Sequence, residues 1–333
     1  MDIRGKKIFV GLSGGVDSAV SAALLQKAGA KVTGVFIKGW YPPGMPCTWA
    51  ADRRDAMRVA ARLRIPFRTL DASAEYKEGV IDYLLAEYRA GRTPNPDVMC
   101  NRKVKFGAFY HYAKGQGVDA IAMGHYVSGE KDQRYFLWAV PKDVLEATLF
   151  PVGKMDKSDV RALAKKSRLP VAEKRDSQGV CFLGSISVEE FLRSEFGEES
   201  GRAVDEIGNT VGEHDGALLY TLGERIALRG ASEPGPWFVL AKDIEKNELI
   251  VGKSRIPLPE NTDRNIRFAQ GNWFNNPSQT TSAQYRYRGP RISGHLEQDS
   301  FVSAVPFSEI PTPGQSIVFY RDDEIVGGGI ITV

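Results

Sequence analysis

The feature that most constrains this chain is a glycine- and serine-rich loop close to its N-terminus. The apolar run Lys7-Ile8-Phe9-Val10 predicts a buried strand, and Ala19 to Leu25 predicts a helix. The loop between them is Gly11-Leu12-Ser13-Gly14-Gly15-Val16-Asp17-Ser18. Glycines let the backbone approach a ligand closely, and a helix start offers unpaired N–H groups and a positive dipole end to an anion. The loop therefore predicts a phosphate site.

This loop contains no lysine, in contrast to the common kinase-type phosphate loop, whose lysine acts at the outer phosphates. The absence suits a nucleotide that loses pyrophosphate and leaves an adenylate. Ser13 and Ser18 add hydroxyl donors. We therefore expect the chain to activate an acceptor with ATP, although the loop alone does not identify the acceptor.

Strand and helix patterns alternate from residue 6 to about residue 125, which predicts an α/β class with a doubly wound parallel sheet. Ligands bind at the carboxyl ends of the strands of such a sheet. Gly11, Ile37 and Gly124 fall at such ends. The further strands are expected at 31–37, 66–70 and 120–124, and the further helices at 51–63, 75–88, 105–115, 158–167 and 188–196.

After residue 201 the pattern changes to short runs of Val, Ile, Tyr and Phe between Gly, Pro and Asn turns, which predicts two small β-rich domains. The stretch 257–261 is the expected linker between them. We predict a catalytic domain at 1–198, a small central β-rich domain at 199–258 and a C-terminal β-barrel domain at 259–333.

Composition excludes few classes of function. The chain has 44 Lys and Arg against 41 Asp and Glu, a net charge of +3, so any basic surface for a nucleic acid must be local. Its apolar runs fall short of the roughly 20 residues that span a bilayer. The N-terminus leads directly into the first strand and not into a signal peptide, so we expect a cytoplasmic protein.

The cysteines and histidines do not predict a metal site. The 3 cysteines (Cys47, Cys100 and Cys181) are widely spaced and form no Cys-x-x-Cys pair. The 4 histidines are scattered without ligand spacing. An odd cysteine count in a cytosolic chain is also not a disulfide framework.

The segment Asn95-Pro96-Asp97-Val98-Met99-Cys100-Asn101 follows Thr93-Pro94 and is expected to be a rigid loop with two fixed prolines. Such a loop presents a carboxylate, Asp97, and a thiol, Cys100, three residues apart. A reactive thiolate needs a positive environment, which the basic residues at 102, 103 and 105 offer. The alternative is that Cys100 is a small buried hydrophobe.

A second cysteine lies in the segment 176–184, where Cys181 stands between two glycines. Taken alone it is equally a strand cysteine packed in a sheet. If Cys100 and Cys181 act together, one thiol could carry a sulfur atom as a persulfide, and the other could resolve that persulfide as a disulfide. For Cys47 we favour a structural role.

Other polar segments leave alternatives open. The stretch 285–291 alternates aromatic residues with arginines, which suits base stacking with phosphate contact and equally suits an exposed strand with one wet face. The stretch 131–137 is polar and then aromatic, as in a loop that leads into a helix or strand. His125, just after a strand, is more often a packed or capping residue than a ligand.

Taken together, seven segments closely resemble the bacterial and organellar tRNA-specific 2-thiouridylases. They occur in the family's order along nearly the whole chain: 13–18, 91–101, 124–126, 131–133, 176–184, 212–216 and 313–315. The loop 13–18 alone is shared by many ATP pyrophosphatases, whereas the pair of cysteine motifs at 95–101 and 176–182 is far more specific.

The resemblance implies an adenine nucleotide α-hydrolase-like fold and ATP-dependent 2-thiolation of the wobble uridine. ATP with Mg²⁺ would occupy Gly11–Ser18, with Ile37 and Gly124 beside the adenine. The uridine oxygen would attack the α-phosphate, so that the base is adenylated and pyrophosphate leaves. AMP is then a far better leaving group than oxide.

The resemblance also implies roles for the cysteines. Cys181 would carry the persulfide sulfur donated by another protein. Cys100 would be the second thiol, which frees sulfide or forms a transient Cys100–Cys181 disulfide, and Asp97 would be the acid/base candidate.

The partner implied is a tRNA that reads lysine, glutamate or glutamine codons. Removing its wobble base from the stack costs little in an anticodon loop. The implied tRNA contacts are Asn95, Pro96, Asp97, His125, Lys131, Asp132, Gln133, Arg286, Tyr287 and Gln315.

The chain departs from the family pattern at several places. Tyr126 and Lys131 are nearly adjacent where the family has a longer hairpin, and Arg134 replaces a serine. Glu224 replaces the glutamine of a Gly-Gln-Arg motif, and Trp40-Tyr41-Pro42 replaces the usual acidic residues after the tryptophan. The two cysteines and the nucleotide loop are unchanged, so activity is expected.

Three other functions compete with this one. An amide-forming synthetase with the same loop would not need two cysteines. A non-catalytic tRNA-binding protein would bind tRNA without releasing AMP. An iron–sulfur enzyme would use all 3 cysteines, although no Cys-x-x-Cys pair anchors a cluster.

Overall fold

The computed structural model describes residues 2–43, 49–176, 187–254, 264–307 and 311–332. The chain forms two compact units. The first comprises residues 1–81 and 96–185, and the second comprises residues 82–95 and 186–333. The short segment 82–95 therefore belongs to the second unit, although the first unit flanks it on both sides in sequence.

The first unit is built on a 5-stranded sheet in the order β3-β2-β1-β4-β5, in which all neighbours are parallel. This confirms the predicted doubly wound α/β class. The order reverses at β1, and ligands bind at the carboxyl ends of the strands at such a switch point. The strands are β1 (Lys7–Gly11), β2 (Lys31–Lys38), β3 (Phe67–Asp71), β4 (Ala120–Ala122) and β5 (Thr148–Leu149).

The helices of the described residues start and end close to the predicted positions in most cases. Two regions also contain π-helical turns, at Lys77–Asp82 and Asn101–Ala108. The α-helices are α1 (Val16–Lys27), α2 (Trp49–Leu63), α3 (Ser73–Tyr76), α4 (Tyr83–Arg89), α5 (Pro96–Cys100), α6 (Phe109–Gly115), α7 (Lys142–Glu146), α8 (Lys157–Lys166) and α9 (Val188–Phe196).

The structure revises the predictions for two segments, 75–88 and 95–101. The helix expected at 75–88 is present, but it consists of α3, a π-helical stretch at Lys77–Asp82 and α4. The rigid loop expected at 95–101 is wrong, because Pro96–Cys100 is helical and continues through the π-helical turn into α6. Proline is accepted at the first position of a helix, where its missing N–H would have had no partner in any case.

Both faces of the parallel sheet are buried, because side chains alternate along each strand. Ile8 and Val10 of β1 pack on one face with Val20 of α1, while Phe9 packs on the other face with Phe109 of α6. Burial on both faces is typical of parallel sheets and explains the unbroken apolar run in β1. Among the described residues, no helix is long and apolar enough to cross a membrane.

The second unit contains the two predicted β-rich parts: a 5-stranded sheet in the order β7-β6-β10-β9-β8 and a closed barrel in the order β11-β14-β13-β12-β15-β16. The expected linker at 257–261 lies outside the described residues, and the domain boundaries stay predictions. The sheet consists of β6 (Gly201–Val204), β7 (Thr210–His214), β8 (Arg225–Ile226), β9 (Trp237–Asp243) and β10 (Glu248–Gly252). The barrel consists of β11 (Asn265–Trp273), β12 (Ser282–Gln284), β13 (Ile292–Glu297), β14 (Ser300–Ser303), β15 (Ser316–Arg321) and β16 (Glu324–Ile331).

Candidate functional site

The glycine-rich loop connects β1 to α1 at the carboxyl edge of the sheet, as predicted. Gly15 is the N-cap of α1, with an extended backbone and no side-chain cap hydrogen bond. The first turn of α1 therefore keeps its N–H groups and its dipole for an anion. Ile37 lies near the end of β2, and Gly124 follows β4, so the structure brings the predicted nucleotide residues to one edge.

Two glycines of this edge have no room for a side chain. A Cβ on Gly14, which has a φ of +78°, would lie 2.4 Å from the backbone oxygen of Asp52. A Cβ on Gly124 would lie 2.9 Å from the backbone nitrogen of Ser18. The loop is thus packed between α2 and the end of β4, which fixes its backbone before any ligand arrives.

The two serines of the loop play different parts. The hydroxyl of buried Ser18 donates to the Gly15 carbonyl at 3.1 Å and lies 3.3 Å from the exposed Ser13 hydroxyl. It also accepts the Ser13 N–H at 3.3 Å. The Ser13 hydroxyl also accepts the Gly15 N–H at 3.3 Å, so both serines hold the loop in shape, and the exposed Ser13 can in addition reach a ligand.

Asp17, in the first turn of α1, is bound by two side chains from distant parts of the chain. Lys157, at the start of α8, donates to both carboxylate oxygens at 2.7 and 2.8 Å. The Tyr126 hydroxyl donates to Oδ1 at 2.7 Å. Burial, together with the hydrogen bond to Asp17, raises the pKa of Tyr126, so the phenol stays protonated. The loop sequence contains no lysine, but the fold places Lys157 beside the loop, against Asp17.

Lys157 also joins the loop to Asp176. Its Nζ lies 2.9 Å from Asp176 Oδ1, which Arg161 contacts at 2.8 Å, and Lys131 contacts the second oxygen at 2.8 Å. Burial raises the pKa of Asp176, but the hydrogen bonds from Lys131 and Lys157 outweigh it and lower the pKa to about 2. Asp176 is therefore charged at neutral pH.

The predicted tRNA contacts at 131–133 are engaged within the first unit. Gln133 binds Tyr126 twice, since its side-chain oxygen accepts the Tyr126 N–H at 3.0 Å and its own N–H donates to the Tyr126 carbonyl at 3.0 Å. Asp132 pairs with Arg134 at 2.7 Å, the residue that departs from the family pattern. The segment after Tyr126 is short but closed by these bonds, and its contact with tRNA stays a prediction.

Cys100 is the last residue of α5 and is 3% exposed. Asp97 lies in the first turn of the same helix, so the two are three residues apart on neighbouring turns. The next side chain, Asn101, donates to the Phe136 carbonyl at 3.0 Å, while its buried oxygen has no hydrogen-bond partner among the described residues. Cys181 and Cys47 lie outside the described residues, so the Cys100–Cys181 pairing stays a prediction.

His125 is packed inside the first unit. Its ring lies 5.4 Å from the Phe106 ring and 6.3 Å from the Phe150 ring. Burial, and to a smaller extent the charge of Lys105, lowers the pKa of His125 to about 3, so the ring is neutral at physiological pH. This is the packed histidine that the sequence favoured, and a contact of His125 with tRNA stays a prediction.

The remaining predicted tRNA contacts lie in the second unit. Arg286 and Tyr287 lie in a turn that follows β12, so the alternative of an exposed strand at 285–291 is wrong. Arg286 is exposed, and the guanidinium of Arg288 lies over the Tyr287 ring at 5.3 Å. Gln315 precedes β15, and its amide donates to the Thr93 carbonyl at 2.8 Å.

Comparison with known proteins assigns the chain to a family. Residues 6–185 match the family model described as tRNA methyl transferase HUP domain, residues 189–253 a PRC-barrel domain and residues 263–331 an aminomethyltransferase beta-barrel domain. The tRNA-specific 2-thiouridylase MnmA of Enterococcus faecalis is 39% identical over 355 residues, which cover 98% of this chain and 95% of that protein. The chain belongs to the tRNA-specific 2-thiouridylase family.

Another 2-thiouridylase, from Pseudoalteromonas translucida, is 41% identical over 98% of this chain and 97% of its own length. The resemblance found in the sequence motifs is thereby confirmed. The sequence did not reveal that Lys157 and Tyr126 bind Asp17 of the glycine-rich loop, or that Arg161 pairs with Asp176 beside Lys157. Tyr126 and Asp176 lay within quoted motifs without a role, and nothing in the sequence pointed to Lys157, which is 140 residues from Asp17.

Proposed function

We propose that this chain replaces the C2 oxygen of the wobble uridine in tRNA with sulfur, at the expense of ATP. The observation that carries the proposal is the N-terminus of α1, which has no side-chain cap, together with the ion pair of Lys157 and Asp17 in its first turn. Unpaired N–H groups and a nearby cation suit nucleotide phosphates. Membership in the 2-thiouridylase family supports tRNA as the acceptor, and the predicted set comprises tRNAs for lysine, glutamate and glutamine.

In the first step, the uridine O2 attacks the α-phosphorus of ATP and the bond to the β-phosphate breaks, which releases pyrophosphate. The N–H groups at the start of α1 and the Ser13 hydroxyl bind the phosphates. Lys157 stands where a cation can stabilise the negative charge that develops on the phosphates, a role that the loop itself cannot fill. Ile37 and Gly124 flank the adenine.

Magnesium fits this site as an ion that the nucleotide brings. Asp17 is the loop's one carboxylate, and no group of three metal-binding side chains exists among the described residues. Mg²⁺ is commonly held by one or two carboxylates together with substrate phosphates. When bound, it would neutralise phosphate charge beside Asp17.

In the second step, sulfur displaces AMP from C2. Cys181 carries the persulfide, which a separate persulfide-donating protein supplies. Attack of the Cys100 thiolate on the Cys181 sulfur forms a Cys100–Cys181 disulfide and breaks the bond between Cys181 and the outer sulfur. The outer sulfur either leaves as sulfide, which then attacks C2 and displaces AMP, or has already attacked C2 as part of the persulfide and displaced AMP, and then stays on the base. Asp97, in the same helix as Cys100, is the acid/base candidate. The disulfide must be reduced by a thiol before the next turnover.

The test uses unmodified tRNA, ATP and a sulfide or persulfide donor, with mass spectrometry of the digested tRNA. We expect 2-thiouridine with the wild-type chain, and none from a persulfide donor with Cys100→Ala or Cys181→Ala. Normal thiolation by both variants would refute the cysteine roles. A methylated base, formed with a methyl donor instead of ATP, would favour the reaction named in the family model's description.

A further inference from the structure

Three cationic side chains of the first unit converge on one carboxylate, that of Asp176. Lys157 and Arg161, on neighbouring turns of α8, lie 2.9 and 2.8 Å from its Oδ1. Lys131 lies 2.8 Å from its Oδ2. All four residues belong to the first unit. We refer to Lys131, Lys157 and Arg161 as the cation cluster.

The cation cluster adjoins the glycine-rich loop, because Lys157 contacts both. Its Nζ binds the two carboxylate oxygens of Asp17, in the first turn of α1, and also Asp176. Within this group, three positive charges face two carboxylates. An anion bound at the N-terminus of α1 therefore has a further set of cations beside it.

Two of the three cations do not depend on Asp176 for their positions. Lys157 is held by Asp17. The Nη1 of Arg161 donates to two backbone carbonyls of the segment before Asp176, at 3.3 and 3.1 Å. Both cations would stay in place if the Asp176 carboxylate moved away, so the cluster is already arranged for another anion.

Asp176 is a weaker partner for these cations than a phosphate ligand. A carboxylate offers two oxygens and a single charge, whereas pyrophosphate offers more oxygens and several charges to the same donors. The Asp176 side chain is 32% exposed, and ion pairs open to water contribute little net stability. Pyrophosphate can therefore replace Asp176 in the cluster with a gain in favourable contacts.

We propose that the cation cluster binds the β- and γ-phosphates of ATP and the pyrophosphate formed from them, and that the Asp176 carboxylate competes with these phosphates for the three cations. Asp176 thereby assists product release, because it takes the place of pyrophosphate as that ion leaves. The inference rests on the proposed function only in that the reaction forms pyrophosphate. It gives Lys131 a phosphate of the nucleotide as its ligand.

The test measures the binding of inorganic pyrophosphate to the full chain by isothermal titration calorimetry, without tRNA. Asp176→Asn keeps the size of the side chain and removes its charge. We expect this variant to bind pyrophosphate about fivefold more tightly than the wild type, the effect of removing one like charge at contact distance near water. Lys131→Met should bind it about fivefold more weakly. Both differences should shrink at high salt. AMP, which lacks these two phosphates, should bind all variants alike.

The matched control is Glu173→Gln, which removes an acidic charge three residues before Asp176. Glu173 is 80% exposed and pairs with Lys165 of α8 at 3.0 Å, outside the cation cluster. Its pyrophosphate affinity should equal that of the wild type.

Unchanged or weaker pyrophosphate binding by Asp176→Asn would overturn the competition and leave Asp176 a structural residue. Lys131→Met, at a side chain that is 45% exposed, tests the site independently of Asp176. Unaltered pyrophosphate binding by Lys131→Met would remove Lys131 from the site, and weaker tRNA binding by this variant in a filter assay would assign Lys131 to tRNA instead. Because pyrophosphate is titrated alone, the result decides the site even if the chain proves not to be a thiolase.

Discussion

Lys157 Nζ lies within 2.8 Å of both carboxylate oxygens of Asp17. A lysine from the start of α8 therefore contacts the first turn of α1, the helix that begins at the glycine-rich loop. The lysine side chain is only 16% exposed, and it holds Asp176 at the same time. A cation fixed between two carboxylates is pre-positioned, which is what stabilisation of developing phosphate charge requires.

Lys157→Met should slow tRNA-dependent release of pyrophosphate by about 10²- to 10³-fold, the effect typical of removing one pre-positioned charge donor. The measurement is pyrophosphate release under saturating ATP and tRNA, with circular dichroism as the check on folding. Lys157→Arg keeps the charge and should retain more of the rate.

Lys154→Met is the matched control, because Lys154 is exposed and lies three residues before Lys157. It should leave pyrophosphate release unchanged. An unaltered rate in Lys157→Met would show that this lysine has no part in the chemistry.

Much of this site was accessible from sequence, because its signals are local. The glycines of the loop, the strand before it and the helix after it are adjacent, so the position of the phosphate site could be predicted. Lys157 could not, since 140 residues separate it from Asp17 and only the folded sheet brings them together. The strand β5 has just 2 residues, too few for a periodic pattern.

The helical start at Pro96 shows a second limit of sequence reasoning. The prolines at 94 and 96 predict a loop, yet Pro96 is the first residue of α5. A proline in a loop and a proline at the first position of a helix look alike in sequence, so only the structure distinguishes them. The hydrogen bond from Gln315 to the Thr93 carbonyl is of the same kind, since 222 residues separate the two in sequence.

The two serines of the loop should respond differently to removal of their hydroxyls. Ser18→Ala loses three hydrogen-bonding contacts inside the loop and should lower the free energy of unfolding by about 1–2 kcal/mol. Ser13→Ala loses two contacts at an exposed position, with Ser18 and with the Gly15 N–H, so it should lower the free energy of unfolding by less than Ser18→Ala does, by up to about 1 kcal/mol, and weaken ATP binding. Urea unfolding and calorimetric titration with ATP measure the two effects, and equal stability losses would contradict the division of roles.

Gly14→Ala should destabilise the first unit and abolish ATP binding. The positive φ and the approach of the new Cβ to the Asp52 oxygen, at 2.4 Å, act together, and we expect a loss of more than about 2 kcal/mol. Gly117→Ala is the control, because Gly117 also has a positive φ of +66° but has open space around its Cβ position. Gly117→Ala should lower the free energy of unfolding only by the cost of a side chain at a positive φ, about 1–2 kcal/mol, and leave ATP affinity unchanged. Equal losses of stability in urea would show that the contact with Asp52 relaxes.

His125 should make the protein sensitive to mild acid. Its pKa is lowered to about 3 by burial, whereas an unfolded chain protonates its histidines near pH 6.5, so below that pH the unfolded state binds the extra proton. The contribution to stability is therefore complete above pH 6.5 and falls by about 1.4 kcal/mol per pH unit as the pH decreases towards 3. His125→Leu should reduce the slope between pH 6 and about pH 4.5, where buried His214, whose pKa burial also lowers, continues to contribute. This window lies above that of the Asp71 and Asp176 carboxyls, whose pKa values are lowered to about 2. Urea unfolding across this range checks it, with exposed His111→Ala as the control that keeps the wild-type slope, and an unchanged slope in His125→Leu would mean that the buried ring accepts a proton.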